Sequence, residues 1–168
     1  MSYYNKVGTY YDKDAVDFEQ RYHQNPALQR IRQSFRQHTK SYEQTTVLEV
    51  GFGPGFDLVH FAEQFPDRKF YGIDISAEMV RLTQEKIDRM GLQNAWVAKG
   101  SVEDIKVLYP EVQFDMIYVF FGALNTVNDL EGAFVDLRAV LSSGGRMVLT
   151  FVNKYYIAGT LIELLKLK

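Results

Sequence analysis

The chain has 168 residues, of which 46% are hydrophobic, and 21 acidic side chains against 19 lysines and arginines give a net charge of −2. This length and composition predict one folded domain and exclude an intrinsically disordered chain. The dispersed basic residues give no electrostatic footprint for nucleic acid, and the absence of cysteine excludes disulfides and thiolate metal sites.

The sequence offers no segment that suits a membrane. The longest apolar run, residues 116–124, is far shorter than the roughly 18 residues that span a bilayer. Residues 1–14 are polar and rich in tyrosine, without the apolar region of a signal peptide. We therefore expect a cytoplasmic protein with no membrane contact.

Two helical patterns begin the chain, after a stretch at residues 2–8 that we expect to be mobile. Apolar side chains at positions 15, 18 and 22 fall on one face of a first helix. Asn25 is a typical helix cap followed by proline, and positions 28, 31 and 35 give the buried face of a second helix. Residues 1–44 are therefore predicted to form a helical cap.

Strands and helices alternate from residue 45 onward. The predicted strands are residues 46–50, 69–73, 95–99, 114–119 and 146–152. Apolar strands joined by helices of roughly ten to fifteen residues require right-handed crossovers and a parallel sheet covered on both faces. The predicted fold is α/β, a doubly wound, mostly parallel sheet over residues 45–153 with N-terminal helices. Its ligand should bind beyond the carboxyl ends of the strands.

A glycine turn follows the first strand and carries the clearest functional signal. Glu49 lies near the end of the strand, and Gly51, Gly53 and Gly55 occupy alternate positions before the next helix. Glycine lets the backbone turn tightly and brings bare N–H groups against a ligand that a Cβ would exclude. The following helix directs its positive N-terminal end to the same place. The turn therefore predicts a site for a small anionic or carboxylate-bearing cofactor.

Three known glycine motifs can be compared with this turn. The dinucleotide fingerprint Gly-x-Gly-x-x-Gly needs a third glycine where this chain has Phe56, and a phosphate-binding P-loop needs a Lys-Ser/Thr pair that is absent. The pattern Glu-x-Gly-x-Gly-x-Gly closely resembles the first motif of the class I S-adenosylmethionine-dependent methyltransferases. That resemblance implies a Rossmann-like core in which the backbone of the three glycines binds the methionine portion of S-adenosylmethionine. Glu49 would hold the cofactor's ammonium through water, or order the loop.

Asp74 ends the second strand, 19 residues beyond Gly55. A carboxylate at this place can accept both hydroxyls of a ribose, and the resemblance implies that role for Asp74, beside Ile75. The structural alternative is a helix N-cap, for which Ser76 is already available. We therefore assign Asp74 to the cofactor.

The segment after the third strand resembles the family's adenine-contacting sequence, Gly-Asp-Ala-x-x-Leu. This chain has Ser101 where that pattern has an acid, followed by Val102 and Glu103. A hydroxyl can still accept a hydrogen from the adenine amino group, and the resemblance implies that the next backbone N–H donates to the ring. Glu103 and Asp104 are equally well explained as solvated loop carboxylates.

Aromatic residues complete the predicted site. Of Phe120 and Phe121, which follow the fourth strand, we expect one core residue and one cofactor-facing residue, with Phe120 as a candidate. Tyr11 resembles part of the segment that folds over the pocket in this family and would exclude water as a lid. The alternative for Tyr11 is a surface tyrosine. The three histidines have no partners at metal-ligand spacing, so no metal is expected.

The resemblance implies methyl transfer from S-adenosylmethionine, with S-adenosylhomocysteine as product. We expect a small-molecule acceptor and no nucleic acid, because the chain lacks the Asn/Asp-Pro-Pro-Tyr/Phe tetrapeptide associated with methylation of exocyclic amines of nucleic-acid bases. No catalytic residue is assigned, although Tyr22, His23 and Asn125 are candidates for a general base. The alternatives are a truncated or degenerate relative that binds the cofactor without catalysis, and a nucleotide-binding oxidoreductase, which Phe56 disfavours.

The chain ends before the last two strands of the family's seven-stranded core. Residues 154–168 are predicted to form an apolar helix, so the fifth strand would keep a bare edge, which natural sheets cover or pair. We therefore expect either a fragment or a homo-oligomer that uses the edge of the fifth strand and this helix.

Overall fold

The computed structural model of the chain describes residues 3–153. Its α-helices are α1 (Tyr3–His23), α2 (Pro26–Lys40), α3 (Phe56–Gln64), α4 (Ala77–Met90), α5 (Ile105–Leu108) and α6 (Leu130–Val140). Its strands are β1 (Thr46–Val50), β2 (Lys69–Asp74), β3 (Ala95–Lys99), β4 (Phe114–Val119) and β5 (Leu141–Leu149). The bounds of β1, β3 and β4 coincide with the predicted ones.

The five strands form one sheet in the order β3-β2-β1-β4-β5, and every neighbouring pair is parallel. β1 lies in the middle, with Leu48 opposite Tyr71 of β2 and Ile117 of β4. The chain proceeds outward from β1 to β3 on one side and from β4 to β5 on the other, so the strand order reverses between β1 and β4. The predicted doubly wound α/β fold is confirmed.

Alternation along β1 builds an apolar core on both faces of the sheet. Leu48 and Val50 belong to one cluster, which includes Leu137 of α6. Val47 belongs to the other, which includes Leu58 of α3. Burial on both faces is typical of a parallel sheet covered by helices. The packed sheet thus gives a firm base whose carboxyl ends carry the loops of the site.

Helix α1 begins at Tyr3, so the expectation of a mobile stretch at residues 2–8 is wrong for the residues described. The reason is contact with the sheet rather than helix propensity. Gly8 is buried, and a Cβ built on it would come within 2.8 Å of the carbonyl oxygen of Ile75. Glycine weakens an isolated helix, but here it lets α1 approach the end of β2.

The buried face of α2 includes the predicted Phe35, which packs against Phe120, but not the predicted Ile31. Ile31 is 44% exposed, whereas the neighbouring Arg32 is 8% exposed. The cap prediction is confirmed, because the side chain of Asn25 accepts hydrogen bonds from the N–H groups of Ala27 and Leu28. At this turn of α2 a guanidinium, rather than the alkyl side chain of Ile31, therefore lies in the interior.

Strand β5 spans Leu141–Leu149 rather than the predicted residues 146–152. The Gly144-Gly145 pair lies inside the strand, at an irregularity in its pairing with β4. In the described part of the chain, β5 pairs with β4 alone. The predicted helix of residues 154–168, and the contact between copies expected for it, lie outside the described residues. Within residues 3–153, no helix has the length and apolar character needed to cross a bilayer.

Candidate functional site

A first cavity, of about 230 Å³, lies at the carboxyl ends of the strands and against α1. Segments at the ends of β1, β2, β3 and β4 all contribute to its wall, as expected where the strand order reverses. The sequence-predicted residues that line it are Tyr11, Gly51, Gly53, Asp74, Ile75, Ser101, Val102 and Phe120. The predicted residues Glu49, Gly55 and Glu103 lie outside its lining.

Gly53 is the point of the glycine turn at which the backbone stays open. Its φ is 56°, and a Cβ built on it would meet no atom within 4 Å. At Gly51 and Gly55, by contrast, a Cβ would overlap the side chains of Ala123 and Thr83. Glycine is therefore needed for packing at positions 51 and 55, whereas the bare face of Gly53 leaves room for a ligand.

Asp74 connects the end of β2 to the glycine turn. Its Oδ2 accepts a hydrogen bond of 2.8 Å from Gly53 N–H, and its Oδ1 accepts one of 2.9 Å from Ser76 N–H. Burial raises the pKa of this carboxyl to about 6, although both N–H donors oppose the shift. The Ser76 hydroxyl oxygen, which accepts from Met79 N–H, caps α4 instead. Asp74 is thus a cavity-lining carboxyl with further lone pairs for a ligand.

Helix α1 covers the first cavity and is fixed at both sides of it. Tyr4 Oη donates a hydrogen bond of 2.9 Å to Glu103, and Asp12 accepts one of 2.6 Å from Ser76 Oγ. Between these contacts Tyr11 lines the cavity, where burial raises the pKa of its hydroxyl. Glu103 therefore contacts the covering helix, which explains its absence from the cavity wall.

Ser101 is held in place by its own turn at the end of β3. Its backbone N–H and its hydroxyl both donate to Asp104 Oδ2, at 2.8 and 3.0 Å. Because the hydroxyl proton goes to Asp104, the Ser101 oxygen keeps lone pairs that can accept a hydrogen from a ligand. Asp104 therefore orders the loop rather than being only a solvated carboxylate.

Phe120 and Phe121 both line the first cavity, although only one of them was expected to do so. Phe120 is buried and packs against Tyr118 and Phe35. Phe121 has a φ of 55°, in the left-handed region that a bulky residue rarely adopts. Backbone strain of this kind concentrates at functional sites.

A second cavity, of about 430 Å³, adjoins the first and was not expected from the sequence. It lies between the two N-terminal helices and the glycine turn. The residues that line both cavities are Phe18, Gly51, Gly53, Phe120 and Phe121. The two cavities therefore share a wall at the carboxyl ends of the central strands.

Buried charged groups line the second cavity, namely Arg32, Glu49 and Asp57. Asp57, in the first turn of α3, forms ion pairs with Arg32 and with Arg36, whose Nε lies 2.6 Å from Asp57 Oδ1. Glu49 is buried and accepts a hydrogen bond of 2.8 Å from the Tyr118 hydroxyl. Burial and the nearby Asp57 raise the pKa of Glu49 well above its usual range. The one sequence signal for this network was the four-residue spacing of the two arginines along α2.

The three general-base candidates have different surroundings. Asn125 exchanges hydrogen bonds of 2.9 and 3.1 Å with the backbone of Val152, so it orders the turn after β4. His23 is exposed at the end of α1, with its ring against Phe56. Tyr22 alone of the three lines a cavity, the second one.

Comparison with known proteins identifies a family whose model matches this chain. The family model described as a methyltransferase domain matches residues 41–167, which is most of the chain. Helices α1 and α2 precede the matched segment. The matched part therefore contains the whole sheet and the glycine turn.

Individual proteins are similar over shorter stretches. A malonyl-[acyl-carrier protein] O-methyltransferase 1 of Ilyobacter polytropus is 32% identical over 117 residues, which cover 69% of this chain and 41% of that protein. A tRNA (guanine-N(7)-)-methyltransferase of Edwardsiella ictaluri is 35% identical over 80 residues, 47% of this chain and 34% of that protein. This chain thus spans less than half the length of either curated relative. The DhpI–SAH complex superposes with a TM-score of 0.69 over 88% of this chain and 68% of that chain, at 20% identity, which shows a shared fold.

Removal of the Asp57 carboxylate tests the buried network. Asp57→Ala leaves Arg32 and Arg36 without their shared partner, and we expect it to lower the free energy of unfolding by about 3–5 kcal/mol in urea titrations. Asp136→Ala, which breaks a more exposed pair with Lys106, should change it by less than about 1 kcal/mol. Equal effects of the two substitutions would show that the network does not stabilise the fold.

Proposed function

The chain belongs to the methyltransferase domain family, and on that premise we propose that it transfers a methyl group from S-adenosylmethionine to a small-molecule acceptor. The observation that carries the proposal is the convergence of the glycine turn and Asp74 on one cavity, joined by the hydrogen bond from Gly53 N–H. These are the residues by which the sequence resembles the class I S-adenosylmethionine-dependent methyltransferases. The malonyl-[acyl-carrier protein] O-methyltransferase relative supports methyl transfer as the reaction.

The residues of the first cavity fit the separate parts of S-adenosylmethionine. The open backbone at Gly53 leaves room for the methionine portion beside the turn. The Asp74 carboxylate can accept hydrogens from both ribose hydroxyls. Ser101 and Val102, after β3, are available to the adenine ring, and Tyr11 would cover the bound molecule. Each part of the cofactor thus has a chemically suitable partner.

Positioning is the main catalytic task in this reaction. S-adenosylmethionine, held by the turn at Gly51 and Gly53 and by Asp74, would supply an already activated methyl group, so the chain's own residues are left with positioning. The protein holds donor and acceptor in line and excludes solvent. Gly51, Phe120 and Phe121 line both cavities, so a donor in the first and an acceptor in the second would meet at this wall.

The covering helix supports a small acceptor. α1 is attached to the loop after β3 through Tyr4 and Glu103, and to the start of α4 through Asp12 and Ser76. A folded RNA would have to displace it to reach the donor. The net charge of −2 also gives no general attraction for phosphates. RNA is the second candidate acceptor, because one relative carries the name of a tRNA methyltransferase.

Binding and transfer can be tested separately. Calorimetry should detect binding of S-adenosylmethionine and S-adenosylhomocysteine but no binding of NAD. Binding of NAD alone would favour the oxidoreductase alternative. Protein incubated with labelled S-adenosylmethionine and a cell extract should then place label in the small-molecule fraction. Label in the RNA fraction would show that the acceptor is RNA rather than a small molecule. Binding without any labelled product would favour a cofactor-binding relative that does not catalyse transfer.

Asp74→Ala should weaken S-adenosylhomocysteine binding by at least about 100-fold, since two hydrogen bonds to a charged group are lost. The matched control is Asp115→Ala. Asp115 also accepts two backbone N–H groups, from Thr45 and Thr46, but lies at the amino end of β4 on the opposite edge of the sheet. Calorimetry should find nearly wild-type affinity for this control, and an equal loss in both variants would refute the ribose role.

Cofactor affinity should depend on pH through Asp74. The pKa of its carboxyl is about 6, and ribose hydroxyls donate to the ionised form. Affinity should therefore be constant well above pH 6 and fall about tenfold per pH unit below it, because binding then requires loss of a proton. Dissociation constants measured from pH 5 to 8 check this, and the bend should vanish in Asp74→Asn. A bend that persists in this variant would belong to another group.

The open backbone at Gly53 gives a second matched pair. Gly53 and Gly91 both have positive φ, and neither has an atom within 4 Å of its Cβ position. Alanine should therefore cost similar strain, of order 1 kcal/mol, at each position. Thermal melts should shift alike, but only Gly53→Ala should weaken S-adenosylhomocysteine binding, because the added methyl group occupies ligand space. Unchanged affinity in Gly53→Ala would place the ligand elsewhere.

A further inference from the structure

Aromatic side chains make up a large part of the second cavity's lining. Its volume of about 430 Å³ falls within the usual range for small-molecule sites, roughly 300–1,000 Å³. The aromatic side chains of its lining are Tyr10, Phe18, Tyr22, Phe52, Phe120 and Phe121. Rings of this kind favour a ligand that is flat and largely apolar.

Arg32 is the buried cation in this lining. It is 8% exposed, and its guanidinium carbon lies 4.8 Å from the ring centre of Tyr22 and 4.4 Å from that of Phe121. Its Nη1 donates to Asp57. Its Nε is buried and has no hydrogen-bond partner among residues 3–153. A buried donor without an acceptor is costly, so a ligand that supplied an acceptor here would be favoured.

Two arginines share one carboxylate at the second cavity, because Arg32 and Arg36 both pair with Asp57. Glu49 also lines the cavity, where it is buried and accepts the Tyr118 hydroxyl. Burial and Asp57 raise the pKa of Glu49 well above its usual range, against the opposing effect of the two arginines. A ligand carboxylate beside Arg32 would give each guanidinium a carboxylate of its own.

We propose that the second cavity binds the methyl acceptor, and that this acceptor is a flat, largely apolar molecule whose carboxylate group pairs with Arg32. The inference rests on the proposed function, since a donor in the first cavity makes the second an acceptor site. The planar guanidinium matches a carboxylate better than a point charge does. The other arginine of the lining, Arg21, is exposed and pairs with both Asp14 and Asp17, whereas Arg32 is buried and keeps an Nε without a partner, which favours Arg32 as the ligand's partner.

The cofactor carries a carboxylate of its own, on the methionine portion that we assign to the glycine turn. Gly51 and Gly53 line both cavities, so this carboxylate is the competing source of negative charge. The two sources differ in one respect. An acceptor carboxylate would bind while S-adenosylhomocysteine is present, whereas a cofactor carboxylate at Arg32 would already occupy the guanidinium.

Calorimetric titration at saturating S-adenosylhomocysteine distinguishes these sources. The probes are 4-hydroxybenzoate and indole-3-acetate, each compared with its neutral amide of nearly the same shape. In the wild type, the acids should bind at least about tenfold more tightly than the amides, which is the scale of a charge-assisted hydrogen bond. In Arg32→Gln this preference should disappear, while the affinity for S-adenosylhomocysteine stays unchanged.

Two further variants control for folding. Arg81→Gln also removes a paired arginine, but Arg81 is exposed on α4, pairs with Glu78 and Glu85, and lines neither cavity. It should keep the full preference for acids. Arg32→Lys retains the charge beside Asp57 without the planar fork, so it should fold and still lose most of the preference. It decides the question if Arg32→Gln does not fold.

The possible results separate the two proposals. Equal binding of acids and amides by the wild type, or binding of neither, overturns the inference and leaves the proposed function standing. A loss of S-adenosylhomocysteine affinity in Arg32→Gln as large as the loss of acid preference assigns the guanidinium to the cofactor and also overturns the inference. Failure of the wild type to bind S-adenosylhomocysteine refutes the proposed function, and the inference with it.

Discussion

The hydrogen bond from Gly53 N–H to the Asp74 carboxylate is the contact on which the site depends. It joins the turn after β1 to the end of β2, beside the point where the strand order reverses. A parallel sheet makes this contact possible, because all of its strands deliver their carboxyl ends to one edge. Gly53 supplies an open backbone and Asp74 a buried carboxyl.

The N-terminal helices enclose this edge and lie outside the matched domain of residues 41–167. Each is anchored at the start of a helix that follows a parallel strand. Asp12 of α1 accepts hydrogen bonds from Ser76 and Glu78 at the start of α4, and Arg32 of α2 pairs with Asp57 in the first turn of α3. Carboxylates are stabilised at helix N-termini. Under our proposals, the matched domain binds the donor, and the two helices with the Asn25 cap between them provide half of the residues that line the acceptor's cavity.

Local sequence patterns were sufficient for the sheet and for eight of the residues that line the first cavity. The strands, the Ser76 cap and the spacing from the glycine turn to Asp74 depend on near neighbours along the chain, and the predicted fold and family are both confirmed. The second cavity could not be predicted, because it depends on distant pairs. Charged side chains are mostly exposed, so Ile31 was expected inside, whereas Arg32 is buried by a partner 25 residues away, Asp57.

The most direct test of the central claim is a titration of isotope-labelled protein with S-adenosylhomocysteine, followed by heteronuclear NMR. At 19.4 kDa the chain suits amide-resolved spectra. We predict that the largest amide shifts fall on Gly51, Gly53, Asp74 and Ser101, while Asp115 at the opposite edge of the sheet stays unchanged. Shifts that avoid the glycine turn and Asp74, or that NAD reproduces equally well, would contradict the assignment of this edge to S-adenosylmethionine.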